Sequence, residues 1–180
     1  MKHTIVALMQ DHPGVLHRVV SLFRRRAYNI ESLTVGKTET AGISRMTIVT
    51  SGNNVEQVTK QLYRLIEVLK VSDVTNDPTV DREIALIKVH APKQTRAELV
   101  ALLTVFGAKT VDVGPNTMIV ELTGEPSEVE RFLDVVRPFG IKEMMRTGRI
   151  AMIRGSQSHQ AALEIDSPEE APIATLALAG

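Results

Sequence analysis

Apolar positions fall along the chain in two alternating rhythms, one of period two and one of three to four. Residues 4–9 (TIVALM) form an apolar run too short for a helix and bounded by the polar stretch Gln10-Asp11-His12-Pro13-Gly14, which predicts a buried strand. Val15, Leu16, Val19, Leu22 and Phe23 then recur at the spacing of one helix face, and Pro13 suits a first helical turn, where its missing N–H costs nothing. Residues 30–38 and 43–50 are rich in Ile, Val and Thr and are separated by Glu39-Thr40-Ala41-Gly42, the pattern of a hairpin. In its second strand Ser44, Met46, Ile48 and Thr50 face one way, and Ile43, Arg45, Thr47 and Val49 the other. Asn53 three residues before Glu56 resembles a capping box, opening a helix with Val58, Leu62, Leu65 and Ile66 on one side. An extended run over 68–75 completes a β-α-β-β-α-β order, a split βαβ arrangement.

The pattern then restarts. Residues 83–90 (EIALIKVH) read as a strand, and Thr95 with Glu98 reads as a capping box ahead of Leu99, Leu102, Leu103 and Phe106. Residues 109–113 and 117–122 form a second hairpin turned by Gly114-Pro115-Asn116. Pro126 opens a helix carrying Val129, Leu133 and Val136, and residues 141–153 supply a closing extended segment bent at Gly148. Ile48-Val49-Thr50-Ser51-Gly52 is loosely echoed by Val120-Glu121-Leu122-Thr123-Gly124, so the architecture repeats although identity is low. The expected fold is therefore α+β, two consecutive βαββαβ ferredoxin-like units over 1–77 and 81–154, with the boundary in 76–81, where Pro78 interrupts pairing. Each unit is small enough for its own core to be marginal, and a sheet with helices on one face leaves the other in need of a cover, so self-association is expected. From Gly155 onward Ser, Gln, Pro and Glu dominate, and 155–180 reads as a flexible tail.

Composition removes several function classes. The 180 residues are 43% hydrophobic, and 21 Lys and Arg balance 21 Asp and Glu for zero formal charge, which argues against a strongly basic nucleic-acid binder. There is no cysteine, hence no disulfide, thiolate metal site or cysteine nucleophile. No apolar run is long enough to span a membrane, and the first residues carry no signal-peptide pattern, so the reading is cytoplasmic. The five histidines are scattered, no Gly-x-Ser-x-Gly occurs, and no glycine-rich phosphate loop follows a strand, so no catalytic residue and no metal site is expected in this chain. Arg24-Arg25-Arg26 reads as a solvated helix end, where cations complement the dipole.

Asp11-His12-Pro13-Gly14-Val15-Leu16 joins the first strand to a helix N-terminus, where unpaired amides and the dipole favour an anion. Gly14 lets a ligand approach the backbone closely, and Asp11 can accept charge-assisted bonds from an ammonium. A free α-amino acid carries both charges on adjacent atoms and matches this layout. The plainer alternative is that Asp11 caps the helix and Gly14 eases a tight turn; residue chemistry alone leaves both open.

Asp11-x-Pro13-Gly14-Val15-Leu16 at the first strand–helix junction of such a unit resembles the ACT domain, a family of amino-acid-sensing regulatory modules. Tyr28-Asn29-Ile30-Glu31-Ser32-Leu33-Thr34-Val35 followed by Ser44-Arg45-Met46-Thr47-Ile48 resembles, more narrowly, the small regulatory subunits of acetolactate (acetohydroxyacid) synthase, and the likeness runs from about Lys2 to Arg154. The resemblance implies a homodimer through the ACT domain. It places a valine-binding site at the interface, made by Asp11, Gly14, Val15 and Leu16 of one chain with Asn29 and Ile30 across it. On residue chemistry alone, Asn29 would be a turn residue in an unusual backbone conformation and Ile30 ordinary core.

The same resemblance implies a non-catalytic subunit that binds and activates the large catalytic subunit. That partner uses thiamine diphosphate, magnesium and FAD; the small subunit confers feedback inhibition by valine, with leucine and isoleucine competing. Many members carry Asn where this chain has Asp11. An ionised Asp only accepts, so Asp11 is expected to face the ammonium, leaving the carboxylate to the amides near Gly14 to Leu16. The alternatives are a stand-alone ACT-type sensor acting on another enzyme or on a transcriptional regulator, and a metal- or nucleic-acid-responsive regulator on the same fold.

Overall fold

The computed structural model describes residues 2–52 and 55–155; Asn53 of the expected capping box and the expected tail beyond Gly155 lie outside them. The first sheet comprises β1 (Lys2–Gln10), β2 (Asn29–Lys37), β3 (Ile43–Ser51) and β4 (Val68–Asp73), antiparallel in the order β2-β3-β1-β4. Helices α1 (Val15–Arg25) and α2 (Val55–Leu62) cover one face. Alternation along β1 and β3 turns Ile5, Ala7, Met9, Met46 and Ile48 toward Val15, Val19, Leu22, Phe23, Val58 and Leu62, forming one core. Burying side chains such as Ile5, Ile48 and Phe23 stabilises the unit by about 1.5–3 kcal/mol each.

Two local expectations change here. Helix α1 opens at Val15 with Gly14 as its N-cap, so Pro13 lies in the preceding turn rather than in the helix, and Leu16 points out of the core. Helix α2 stops at Leu62; Leu65 still packs on the core from the turn that follows, whereas Ile66 is 88% exposed.

The second unit runs β5 (Thr79–His90), α3 (Lys93–Phe106), β6 (Lys109–Val113), β7 (Thr117–Gly124), α4 (Pro126–Val136), β8 (Ile141–Arg146) and β9 (Ile150–Ile153). Its order is β6-β7-β5-β8, and β9 pairs with the first part of β5. The chain is thus α+β with two βαββαβ units, as its periodicity predicts. Thr79 to Asp81, part of the expected boundary, already belong to β5 and pair with β9. Helix α3 starts at Lys93 behind Pro92, so Thr95 sits within its first turn and caps nothing. The capping box lies instead at α4, where Glu125 and Glu128 satisfy each other's backbone N–H.

The far face of the first sheet is covered by the chain itself. Gly148, at φ +86°, bends the segment after β8 so that 147–153 runs back over that sheet. A Cβ at Gly148 would collide with the hydroxyls of Ser32 and Thr34, so close approach and backbone conformation both require glycine. Thr34 Oγ1 donates to the Thr147 carbonyl (3.1 Å), the Arg149 amide donates to Ser32 Oγ (3.0 Å), and Arg45 Nη2 donates to the Ala151 carbonyl (2.8 Å). Arg149 Nη1 reaches Thr4 Oγ1 at 2.9 Å and lies 3.4 Å from Asp81 Oδ2. Val6 and Val74 pack against Ala151 and Ile153. Thr47 and Val49, on the outward face of β3, are buried in consequence. The cover that self-association was expected to provide therefore comes in part from within the chain, while the outer edge of β2 has no strand beside it among the described residues.

Candidate ligand-binding loop and strand edge

The loop between β1 and α1 is anchored at its start, where the Asp11 amide donates to the Gly42 carbonyl at 2.8 Å and the Gln10 amide to the Glu67 carbonyl at 2.9 Å. Gly14 adopts φ +94° and ψ −17°, a left-handed conformation that an L side chain rarely adopts, and no atom lies within 4 Å of where its Cβ would stand. The space over this turn is open. The Arg18 amide returns to the Gly14 carbonyl (3.0 Å) and the Val15 amide makes a long bond to the His12 carbonyl (3.4 Å). The Leu16 and His17 amides meet no acceptor among the described residues. Two donors at the positive end of an 11-residue helix thus face outward.

Asp11 does not cap this helix, so the plainer alternative fails in that part: α1 has no side-chain cap. The Asp11 carboxylate is exposed and lies 3.9 Å from Lys37 Nζ, near the end of β2. Val15 is buried in the core, which leaves only its backbone for a ligand, whereas Leu16 is 42% exposed and presents an apolar side chain beside the open amides.

Asn29 and Ile30 stand at the far end of the sheet. Asn29 aligns with Ser51 and Ser51 with Lys2, whereas Asp11 follows Gln10 at the other end of β1. Eight residues of strand separate the two levels, about 27 Å at roughly 3.4 Å per residue. One chain therefore does not bring its own Asp11–Leu16 loop and its own Asn29 together. Asn29 is exposed, with its carbonyl accepting from Thr50 Oγ1 at 2.6 Å, and Ile30 is half-buried against the core. The left-handed residue of the preceding turn is Ala27 (φ 53°), not Asn29. Next in β2, Glu31 sits at a bulge and pairs with Lys2 at 2.7 Å; that hydrogen bond holds its carboxyl below the ordinary glutamate range.

Sequence spacing gave no hint of the Arg18–Glu67 ion pair, which joins the first turn of α1 to the loop before β4. Glu67 is buried and Arg18 mostly exposed, so the pair fastens the helix end beside the loop. Between the two units lies a polar cleft of about 530 Å³, where Arg146 binds both Glu83 and Glu130. Burial works against the Arg146 charge, but those two acids raise its pKa on balance. No three His, Cys, Asp or Glu side chains among the described residues come together in a way that could hold a metal ion.

Comparison with known proteins bears on the fold and the family. A family model described as an AHAS small subunit-like ACT domain matches residues 5–70, and one for the small subunit of acetolactate synthase matches residues 82–155. The probable acetolactate synthase small subunit of Archaeoglobus fulgidus is 54% identical over 159 residues, covering 87% of this chain and 99% of the relative. The acetolactate synthase small subunit of Bacillus subtilis is 48% identical over 160 residues, covering 87% and 93%. The crystal structure of the acetolactate synthase small subunit from Thermotoga maritima superposes with a TM-score of 0.79 at 39% identity, covering 86% of this chain and 98% of that one. With both halves matched and relatives spanned almost end to end, the chain belongs to the family of acetolactate synthase small subunits.

Proposed function

We propose that two copies of this chain pair through their β2 edges and clasp valine between them, and that the dimer activates the large catalytic subunit and makes it inhibitable by valine. The observation that carries this reading is the placement of the two half-sites at opposite ends of one open edge strand. A two-fold axis near Leu33, midway along β2, pairs Asn29–Lys37 antiparallel with its copy. It sets Asn29 and Ile30 of the partner subunit beside Lys37 and Asp11. The ligand carboxylate then meets the outward amides of Leu16 and His17 over Gly14, and the ammonium meets Asp11. The isopropyl group packs between Leu16 and Ile30 of the partner subunit. An open hydrogen-bonding edge is otherwise a liability for a soluble chain, which favours its being paired.

Chemistry remains with the large subunit, whose thiamine diphosphate, magnesium and FAD condense 2-oxo acids; this chain contributes regulation. Inhibition requires valine to bind one arrangement of the assembly more tightly than another, and a ligand that bridges two protomers has that means. One methylene alters discrimination by only about 1–3 kcal/mol, so leucine and isoleucine compete with valine. The test is to mix the chain with a catalytic subunit and assay acetolactate formation with increasing valine. Stimulation by the chain and a saturable fall with valine are expected. No stimulation, or an equal response to valine and to lysine, overturns the proposal.

A further inference from the structure

One face of the ribbon made by β5 with β8 and β9 carries an apolar stripe open to solvent. Ala85, Ile87 and Val89 of β5 are buried in the second core, so the even-numbered positions of that strand face the other way, and Val80, Ile84 and Leu86 among them are exposed. The register sets Met152 opposite Val80, Ile150 opposite Arg82 and Met145 opposite Leu86, so side chains of both strands share this face, and all three partners are more than half exposed. From Val80 to Leu86 the stripe runs about 20 Å, at roughly 3.4 Å per residue. Apolar residues scattered singly over a surface need no account, but a contiguous set of this length marks a contact. At its Met152 end the stripe forms one wall of a groove of about 360 Å³, whose other wall is the far face of β2 and β3 at Thr34, Gly36 and Thr47. Lys37, Arg45 and Arg82 line the groove, and no Asp or Glu does among the described residues. The partners of these cations stand outside the lining: Asp11 lies 3.9 Å from Lys37, Glu125 lies 3.6 Å from Arg82, and Arg45 donates to the Ala151 carbonyl.

A fitting occupant brings aliphatic side chains to the stripe and negative charge to the groove. A second copy of the stripe brings the wrong charge, because a two-fold axis at its midpoint would set Arg82 near its own copy. The chain's own sequence after β9 brings both. Residues 156–180 lie outside the described residues; they contain Glu164, Asp166, Glu169 and Glu170, no Lys or Arg, and the run Ile173-Ala174-Thr175-Leu176-Ala177-Leu178. They follow closely on β9, which itself supplies Ile150 and Met152. The 17 residues from Ser156 to Pro172 reach as far as about 55 Å at roughly 3.3 Å each, so the aliphatic run has the slack to return over the stripe. We propose that residues 173–178 of the same chain cover this stripe, with the acids ahead of them set against the groove of Lys37, Arg45 and Arg82. Tethering holds such a segment before its groove at an effective concentration in the mM range, so an intrinsic Kd of about 0.1 mM keeps the stripe covered about ten times as often as open. The proposal makes no use of the valine reading.

The chain contains no cysteine, so one introduced thiol reports on one position. Met152→Cys is made in the full chain, where this side chain is 65% exposed and belongs to neither main core, and its alkylation by iodoacetamide is timed. The comparison is the same variant carrying Ile173→Asp, Leu176→Asp and Leu178→Asp. Alkylation should be about tenfold slower with the native segment than with the three aspartates, by the occupancy above, and the ratio should not change with protein concentration. Val105→Cys, at an exposed position on α3, should react at one rate in both backgrounds. Arg82→Glu added to Met152→Cys should remove part of the protection by turning the groove against the acids. Equal rates at position 152 with and without the aspartates overturn the inference. So do the same slowing at Val105→Cys, full protection in Arg82→Glu, or protection that grows with protein concentration, as a second copy would give.

Discussion

Replacing Gly14 by Asp tests the proposed anion subsite. The substituted Cβ meets nothing within 4 Å, so the cost to folding is conformational alone, about 1–2 kcal/mol for an L residue at φ +94°. An Asp at this N-cap position recovers about 0.5–2 kcal/mol by accepting from the free amides. The variant should therefore fold, with a stability change near 1 kcal/mol or less by these same magnitudes. Binding is another matter. The new carboxylate occupies the amides that the ligand needs and stands close to the ligand's own negative charge. Two unit charges about 5 Å apart at an effective dielectric near 20 repel by about 3 kcal/mol, equivalent to roughly a 200-fold loss of affinity. Gly14→Ala supplies the control, because it carries the backbone cost without the charge. Calorimetric titration of each variant with valine, beside acetolactate assays of the reconstituted holoenzyme, reads both effects. Valine binding and inhibition should vanish in Gly14→Asp, survive with at most tenfold loss in Gly14→Ala, and leave activation intact in both. Equal losses in the two variants, or undiminished inhibition in Gly14→Asp, would refute the placement of the carboxylate over these amides.

Asp11→Asn should weaken valine by about 1 kcal/mol, the difference between a charge-assisted and a neutral hydrogen bond; a gain in affinity on calorimetry would place Asp11 against the carboxylate instead. Arg18→Ala strands the buried Glu67 carboxylate and should lower unfolding stability by about 1–2 kcal/mol, read as a lower urea midpoint at unchanged slope, the exposure of Arg18 keeping the loss below that of a fully buried pair. Arg149→Met removes the cation nearest Asp81, whose Oδ1 is already buried without a hydrogen-bond partner among the described residues, and should cost about 1–3 kcal/mol. A single undisturbed denaturation midpoint in that variant would show that the two units are held together by other contacts.

Local patterning carried most of the fold into view. Alternating Ile, Val and Thr marked both hairpins, and Gly114-Pro115-Asn116 marked the tighter turn, because each depends on neighbours within a few residues. The failures share a cause. Thr95 with Glu98 has the spacing of a capping box, but the same spacing occurs inside a first helical turn, and Pro92 had already started the helix. Ile66 fits the periodicity of α2, but the helix ends before reaching it. The cover on the first sheet was invisible for a stronger reason. Its hydrogen bonds join residues more than 100 positions apart, such as Arg45 with Ala151 and Thr4 with Arg149, and no periodic signal encodes them. The candidate site was half legible in the same sense. The chemistry of the Gly14 turn could be read from adjacent residues, whereas the position of Asn29 at the remote end of the sheet required the strand register.

The fold-back of residues 147–153 also changes what the connection at 75–78 does. Arg149 grips Thr4, from the first strand, and approaches Asp81, just past the crossover, so a single side chain bridges the start of both halves. Severing the backbone within 75–78 with a protease should accordingly leave two fragments that travel together in gel filtration. A tug on the open edge of β2 would reach the second half by way of the staple rather than the tether.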